Sequence, residues 1–268
     1  MDKIDIHDVD FDSLSKIKYQ GTQSTIYTDG AICYKIFKNL TNEEIDGLYR
    51  KFSEMDGLKI ENVILPREFI FDNAKLQGYT MDYFIDSAPL SEKFLVRYVD
   101  SKKILDAVMK ASKILRTIHQ NNITCQDFSF ENILINELGN VMYCDLDGCS
   151  YKEHISPFIS VILKRFFIDF RRENYPISAN MDRISMMISF CYLMYAKEIQ
   201  NLTRRQYHKL SDNINTLENV RQYANVLLDR KNPIGEIPYL DELIDTDDDY
   251  VYDREKQLSL VKRLLKKL

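Results

Sequence analysis

The stretch CQDFSFENILI at positions 125–135, followed by VMYCDLDG at 141–148, decides how the rest of the chain reads. Two short apolar runs, Ile133-Leu134-Ile135 and Val141-Met142-Tyr143, are separated by Leu138-Gly139-Asn140, a turn signal, and predict a β-hairpin. Asp127 and Asn132 precede the first run, and Asp145 follows the second. An Asp or an Asn beside a turn is ordinary turn chemistry. Here the three polar residues surround one hairpin that follows a long helical pattern, and that conjunction asks for a chemical reading.

Phosphoryl transfer suits it. The reaction needs little covalent help from protein; it needs an acceptor hydroxyl held in line and phosphate charge neutralised by a metal ion. Asp127 is suited to accept the hydroxyl proton, and Asn132 and Asp145 to offer oxygen ligands to Mg²⁺.

The 268 residues fit one large domain or two small lobes sharing a cleft. Hydrophobic residues make up 45% of the chain, enough for a substantial core and far from a disordered composition. A formal charge of −5 argues against a general nucleic-acid binder. The acidic start MDKIDIHD is no secretory signal. The longest apolar run, 186–196, is too short to span a bilayer and predicts a buried helix instead, so no transmembrane segment is expected. Cys33, Cys125, Cys144, Cys149 and Cys191 lack the short paired spacings of a zinc site, which points to a reduced, cytoplasmic setting.

Strands are expected at 16–19, 24–28 and 32–37, with Asp29-Gly30 as a tight turn. Thr41-Asn42-Glu43-Glu44 has the form of a capping box. Behind it Ile45, Leu48, Phe52 and Met55 recur at helical spacing until Asp56-Gly57. Two more strands are expected at 63–71 and 76–84. After Pro89 helices dominate; Ile104, Val108, Ala111, Leu115 and Ile118 form one apolar stripe. The expectation is an α+β chain forming one domain over 1–268. Residues 1–86 form a strand-rich part with one helix, and 87–268 a helical part with a helical C-terminal extension.

Around Asp127, Asn132 and Asp145 the sequence resembles the protein-kinase superfamily, whose signature is His-Arg-Asp, four residues, Asn, and then Asp-Phe-Gly. The resemblance covers residues 16–200 and implies a bilobal kinase-like fold, ATP as cofactor and Mg²⁺, with Mn²⁺ as the alternative ion. On it, Lys35 in YKIFK (34–38) corresponds to the strand lysine that holds the α/β-phosphates, with Lys38 its rival. Met81, Asp82, Tyr83 and Phe84 correspond to the interlobe hinge that holds adenine. Gly21, Ser24 and Ile26 fall in the glycine-rich loop. Asp182 corresponds to the residue that braces the catalytic loop, or is a plain helix-start carboxylate.

The departures are specific. Of the loop glycines only Gly21 is kept; Tyr19 and Ser24 stand at the others. The helix glutamate expected to pair with Lys35 falls on Leu48, and Glu44 is the nearest substitute, with the capping box as its competing use. Cys125-Gln126 replaces His-Arg. Ser129 stands where many protein kinases carry a lysine that touches the transferred phosphate. Asp147 replaces the glycine of Asp-Phe-Gly, either capping the next turn or adding a metal ligand. No Ala-Pro-Glu follows. The basic, aromatic stretch 160–172 is a candidate face for an acidic partner, and the basic C-terminal segment reads as a helix packed on the helical part. Three functions compete: an atypical kinase acting on a hydroxyl acceptor, by default Ser/Thr of a protein; a pseudokinase serving as a nucleotide-binding or scaffold module; and a small-molecule kinase.

Overall fold

Strand-forming residues in the first third build one six-stranded sheet, and the apolar stripes that follow build helices. The computed structural model describes residues 1–18, 23–91, 101–156, 177–195, 205–206, 218–228 and 235–244. Within them the chain is a mixed α+β protein with a strand-rich sheet region and several helices.

The sheet comprises β1 (Asp2–Asp5), β2 (Ser15–Lys16), β3 (Ser24–Thr28), β4 (Ile32–Phe37), β5 (Pro66–Asp72) and β6 (Lys75–Asp82), in the order β1-β5-β6-β4-β3-β2. All neighbours are antiparallel except β1, which runs parallel to β5. β3 and β4 match the expected bounds, and β5 begins later than expected. β1 escaped the sequence reading, because DKID has no apolar alternation; its only half-buried residue is Ile4.

Helix α1 (Asn42–Glu54) opens with the full capping box: Thr41 accepts from the Glu44 amide while the Glu44 carboxylate accepts from the Thr41 amide. Ile45, Leu48 and Phe52 on its inner face are buried, and Phe52 meets Tyr79 of β6 edge-on at 5.2 Å. Strands β6 and β4 approach closely at Gly78. A Cβ there would run into the Lys35 carbonyl of β4 well inside contact distance. That approach seats Lys35, which is paired across the ladder with Tyr79.

Helix α2 (Ser101–Gln120) buries Val108, Ala111, Leu115 and Ile118, as its stripe predicts; the side chain of Ile104 lies outside the described residues. The expected hairpin forms from β9 (Ile133–Asn136) and β10 (Val141–Tyr143), turning through Gly139 at φ 78°. β7 (Ser87–Pro89) adds a third strand to it, and β8 (Ile123–Thr124) pairs with β11 (Ser150–Tyr151). The apolar run at 186–196 lies largely in helix α3 (Ala179–Tyr195), where Ile184, Met187 and Cys191 are fully buried. Helix α4 (Glu218–Leu228) and the short helix α5 (Leu240–Leu243) follow. Asp241 and Glu242 of α5 both pair with Arg116 of α2 at 3.0 Å. Among the described residues no helix is long and apolar enough to cross a membrane. The stretches 160–172 and 245–268 lie outside the described residues.

Replacing Gly78 with Ala forces β6 away from β4 and should lower stability by about 1–3 kcal/mol, as overpacking does. Urea denaturation should register that loss, while the neighbouring Gln77→Ala should stay within about 0.5 kcal/mol of wild type.

Candidate functional site

The cluster is assembled from the loop before β9, the loop after β10, and the buried faces of β4, β6 and α1. Ile133 pairs with Tyr143, and the Asn132 carbonyl accepts from the Cys144 amide at 2.9 Å. The hairpin therefore returns Asp145 to the end where Asn132 stands.

The loop at 125–132 is held from beneath. Asp182, fully buried in the first turn of α3, accepts from the amides of Cys125 at 2.6 Å and Gln126 at 2.7 Å. His119 Nε2 sits 2.9 Å from the same carboxylate, and its Nδ1 shares a 2.8 Å hydrogen bond with the Tyr239 hydroxyl. Two amides aimed at one carboxylate are charge-assisted bonds, and they fix a backbone that includes Gln126 at φ 57°. Of the two uses open to Asp182, the brace is the one observed. Gln126 is fully buried and donates to Ser150 Oγ, which ties the loop to β11.

Asp127 is exposed, and its Cβ lies 3.7 Å from where a side chain on Gly148 would begin. Asn132 Nδ2 donates to the Asp127 carbonyl at 3.1 Å. With its nitrogen so committed, the amide oxygen of Asn132 is the atom left to act as a ligand. The Ser129 carbonyl accepts from the Asn132 amide at 3.1 Å.

Lys35 is buried, whereas its rival Lys38 is exposed. Lys35 Nζ lies 2.6 Å from Asp145 Oδ1 and 2.9 Å from Asp147 Oδ2. Burial opposes its charge, but Asp145 and then Asp147 outweigh it and hold the ammonium well above the usual lysine range. In return, the charge of Lys35 holds Asp145 below the usual carboxylate range against burial, with Lys51 adding to the effect. Tyr79 donates to Asp147 Oδ1 at 2.6 Å; burial, then Asp147, keeps that phenol well above its usual value and hence a donor.

Two expectations need correction. Glu44 is not the partner of Lys35: its carboxylate is bound to the Thr41 amide at 2.7 Å and hydroxyl at 2.9 Å. A capping-box glutamate at the start of α1 has its reach used there, its Oε2 accepting from both the Thr41 amide and hydroxyl. Asp147, read as a turn cap or an added metal ligand, pairs with Lys35 and is only 12% exposed.

Lys51 was missed altogether. It is buried on the inner face of α1, and its ammonium donates to the carbonyls of Leu146 at 3.0 Å, Asp147 at 2.7 Å and Cys149 at 2.9 Å. Burial draws it below the usual lysine range. The available signal was its place between Leu48 and Met55 on the apolar stripe, where a lysine must find buried acceptors.

Of the remaining candidates, Ser24 is buried and Ile26 pairs with Lys35 across β3 and β4, while Gly21 lies outside the described residues. Met81 pairs with Cys33 in the ladder, and Asp82 holds Arg67 at 2.6 Å. The Tyr83 amide donates to the Ala31 carbonyl at 3.0 Å, and the Phe84 carbonyl accepts from Ser87 Oγ at 2.6 Å. These four residues thus connect the sheet to β7. Burial pushes the Cys33 and Cys144 thiols up to about 12, so neither is a thiolate nucleophile.

As for a metal, Asp145 is 44% exposed with one oxygen on Lys35, and Asn132 offers an amide oxygen. Hard oxygen ligands of this kind fit Mg²⁺, which takes one or two protein oxygens and completes its shell with phosphate and water. Among the described residues no group of three or more His, Cys, Asp or Glu side chains is arranged to hold a metal by itself. A concavity of about 290 Å³ beside His119, Thr124 and Lys152 is lined by none of the cluster's side chains. No protein-family model matches the chain, and no curated protein matches it.

Two outcomes follow. Lys51→Met leaves three carbonyls without their donor and should cost about 1–3 kcal/mol, part of the loss being offset by removing a buried charge. Hydrogen exchange should quicken around 146–149. The second concerns pH. A lowered Asp145 contributes stability that is present above the ordinary carboxylate range and lost as pH falls through its lowered value. Asp145→Asn should therefore flatten the acid limb of the stability–pH curve measured by urea denaturation. The Lys35 contribution has the opposite sign, being lost only as pH rises through its raised value.

Proposed function

We propose that this chain is an atypical protein-kinase-like phosphotransferase that moves the γ-phosphate of ATP, with Mg²⁺ or Mn²⁺, to a hydroxyl acceptor. Its fold is then bilobal, with the sheet and α1 over 1–86 as one lobe and the helical part as the other. The observation that carries the reading is the buried Lys35 held to Asp145, at the hairpin end where Asn132 also stands. A fixed ammonium beside metal-binding oxygens is what phosphate charge requires, and a buried one acts more strongly than one in water.

In this reading Lys35 steadies the α/β-phosphates, and Asn132 and Asp145 would hold the metal, which would supply neutralisation of the phosphate charge. Asp127, exposed at the loop braced by Asp182, orients the acceptor hydroxyl and takes its proton. Ser24 and Ile26 cover the phosphates; backbone at Met81, Asp82, Tyr83 and Phe84 receives adenine; Ser129 lies beside the transferred group. Ser/Thr of a protein is the first acceptor to test, and a small-molecule hydroxyl the alternative. No nucleic-acid partner is proposed.

A pseudokinase reading is favoured by one specific feature, the Lys35–Asp145 contact, which occupies a carboxylate oxygen that a metal would use. Turnover separates the two. Wild-type protein with Mg²⁺ or Mn²⁺ should hydrolyse or transfer phosphate from ATP, and Asp127→Ala and Asp145→Ala should each lower the rate at least about 100-fold. No nucleotide-dependent thermal shift and no turnover would rule the phosphotransferase out. A shift without turnover on peptide and small-molecule panels would favour the binding module.

A further inference from the structure

The charges around Lys35 are distributed in an unexpected way. Helix α1 faces the loop after β10 with a cation, Lys51, which is bound to three backbone carbonyls of that loop. A carboxylate in the place of Lys51 would confront those same carbonyls and be repelled. The acid that α1 fails to supply comes from the loop itself. Asp147 Oδ2 lies 2.9 Å from Lys35 Nζ, and Asp147 Oδ1 accepts from Tyr79 at 2.6 Å.

Asp145 and Asp147 are not equivalent in this arrangement. Asp145 is 44% exposed, whereas Asp147 is 12% exposed and has one oxygen on each of two partners. Tyr79 stands directly across the ladder from Lys35, so it fixes Asp147 and Lys35 relative to the same pair of strands. Lys51 fixes the Asp147 backbone through its carbonyl. Asp147 is therefore held at both carboxylate oxygens and at its carbonyl, while Asp145 has an open side.

We propose that Asp147 is the positioning residue for Lys35, the permanent counter-ion that keeps its ammonium aimed into the site when Asp145 turns to a metal ion. This rests on the phosphotransferase reading and assigns to the loop after β10 a task that the resemblance would give to α1. A lysine ammonium has three protons, so it can keep Asp147 and still address a phosphate. Asp147 itself touches neither nucleotide nor acceptor in this account.

The test is a double-mutant cycle on ATP affinity, read by equilibrium titration of a fluorescent ATP analogue with adenosine as the control ligand. Asp147→Asn should weaken the ATP analogue about ten-fold in the wild-type background, the size of one charge-assisted contact. In a Lys35→Met background the same substitution should change affinity less than about two-fold, since the lysine it acts through is gone. Adenosine affinity should be unmoved by either, which excludes a collapsed site. Tyr79→Phe, a milder change, should reproduce part of the Asp147→Asn effect and likewise lose it in the Lys35→Met background. Equal effects of Asp147→Asn in both backgrounds, or none in either, would overturn the inference while leaving nucleotide binding intact. A wild-type chain that binds no nucleotide would overturn the phosphotransferase reading and this inference with it.

Discussion

The rest of the site depends on one buried cation. Carrying the Lys35 ammonium into the protein interior costs several kcal/mol unless charge of opposite sign meets it there. Two aspartates do so, both on the loop that follows the hairpin, so sheet and hairpin are joined through a charge rather than through apolar packing alone. Removing one partner strands the others, which is why the contact fixes the geometry more than it adds net stability. Around it the aromatic ring of Tyr79 contributes twice: its face lies 5.6 Å from the lysine, and its hydroxyl holds the second aspartate.

Helix α1 is tied into this arrangement by its polarity. Its start consumes Glu44 in the capping box, and its inner face carries Lys51 onto the loop carbonyls. Those bonds reach Leu146, Asp147 and Cys149, the residues that decide where the Asp147 side chain stands. On the far side, Asp182 fixes the loop at 125–126 and is itself tied through His119 and Tyr239 to the segment before α5. The two loops that carry Asp127 and Asp145 are thus each braced from a different helix. For the proposed phosphotransferase, preorganisation of this kind would matter, since groups already in place need no rearrangement during a reaction.

Much of this was legible in the residues. The strands at 24–28 and 32–37, the capping box at Thr41, the apolar stripe of α2 and the hairpin at 133–143 all follow from local periodicity and turn chemistry. The brace by Asp182 was open between two uses and resolves to the loop amides. Three features resisted sequence reading for a shared reason: they are made by partners far apart in the chain. β1 exists because β5 offers it a ladder, not because DKID prefers to be extended. Lys51 lies on the apolar stripe of α1, but its three carbonyl acceptors are nearly a hundred residues later in the chain. Asp147 reads as a turn residue until Lys35 and Tyr79 close on it.

We propose that the charged cluster at Lys35 is a site for the phosphates and metal of ATP. A structure of the chain with a non-hydrolysable ATP analogue and Mg²⁺ or Mn²⁺ tests it most directly. Lys35 should then stand on the α/β-phosphates and still contact Asp147, with the metal held by Asn132 and Asp145. Nucleotide bound elsewhere, or a metal that avoids Asn132 and Asp145, would contradict it.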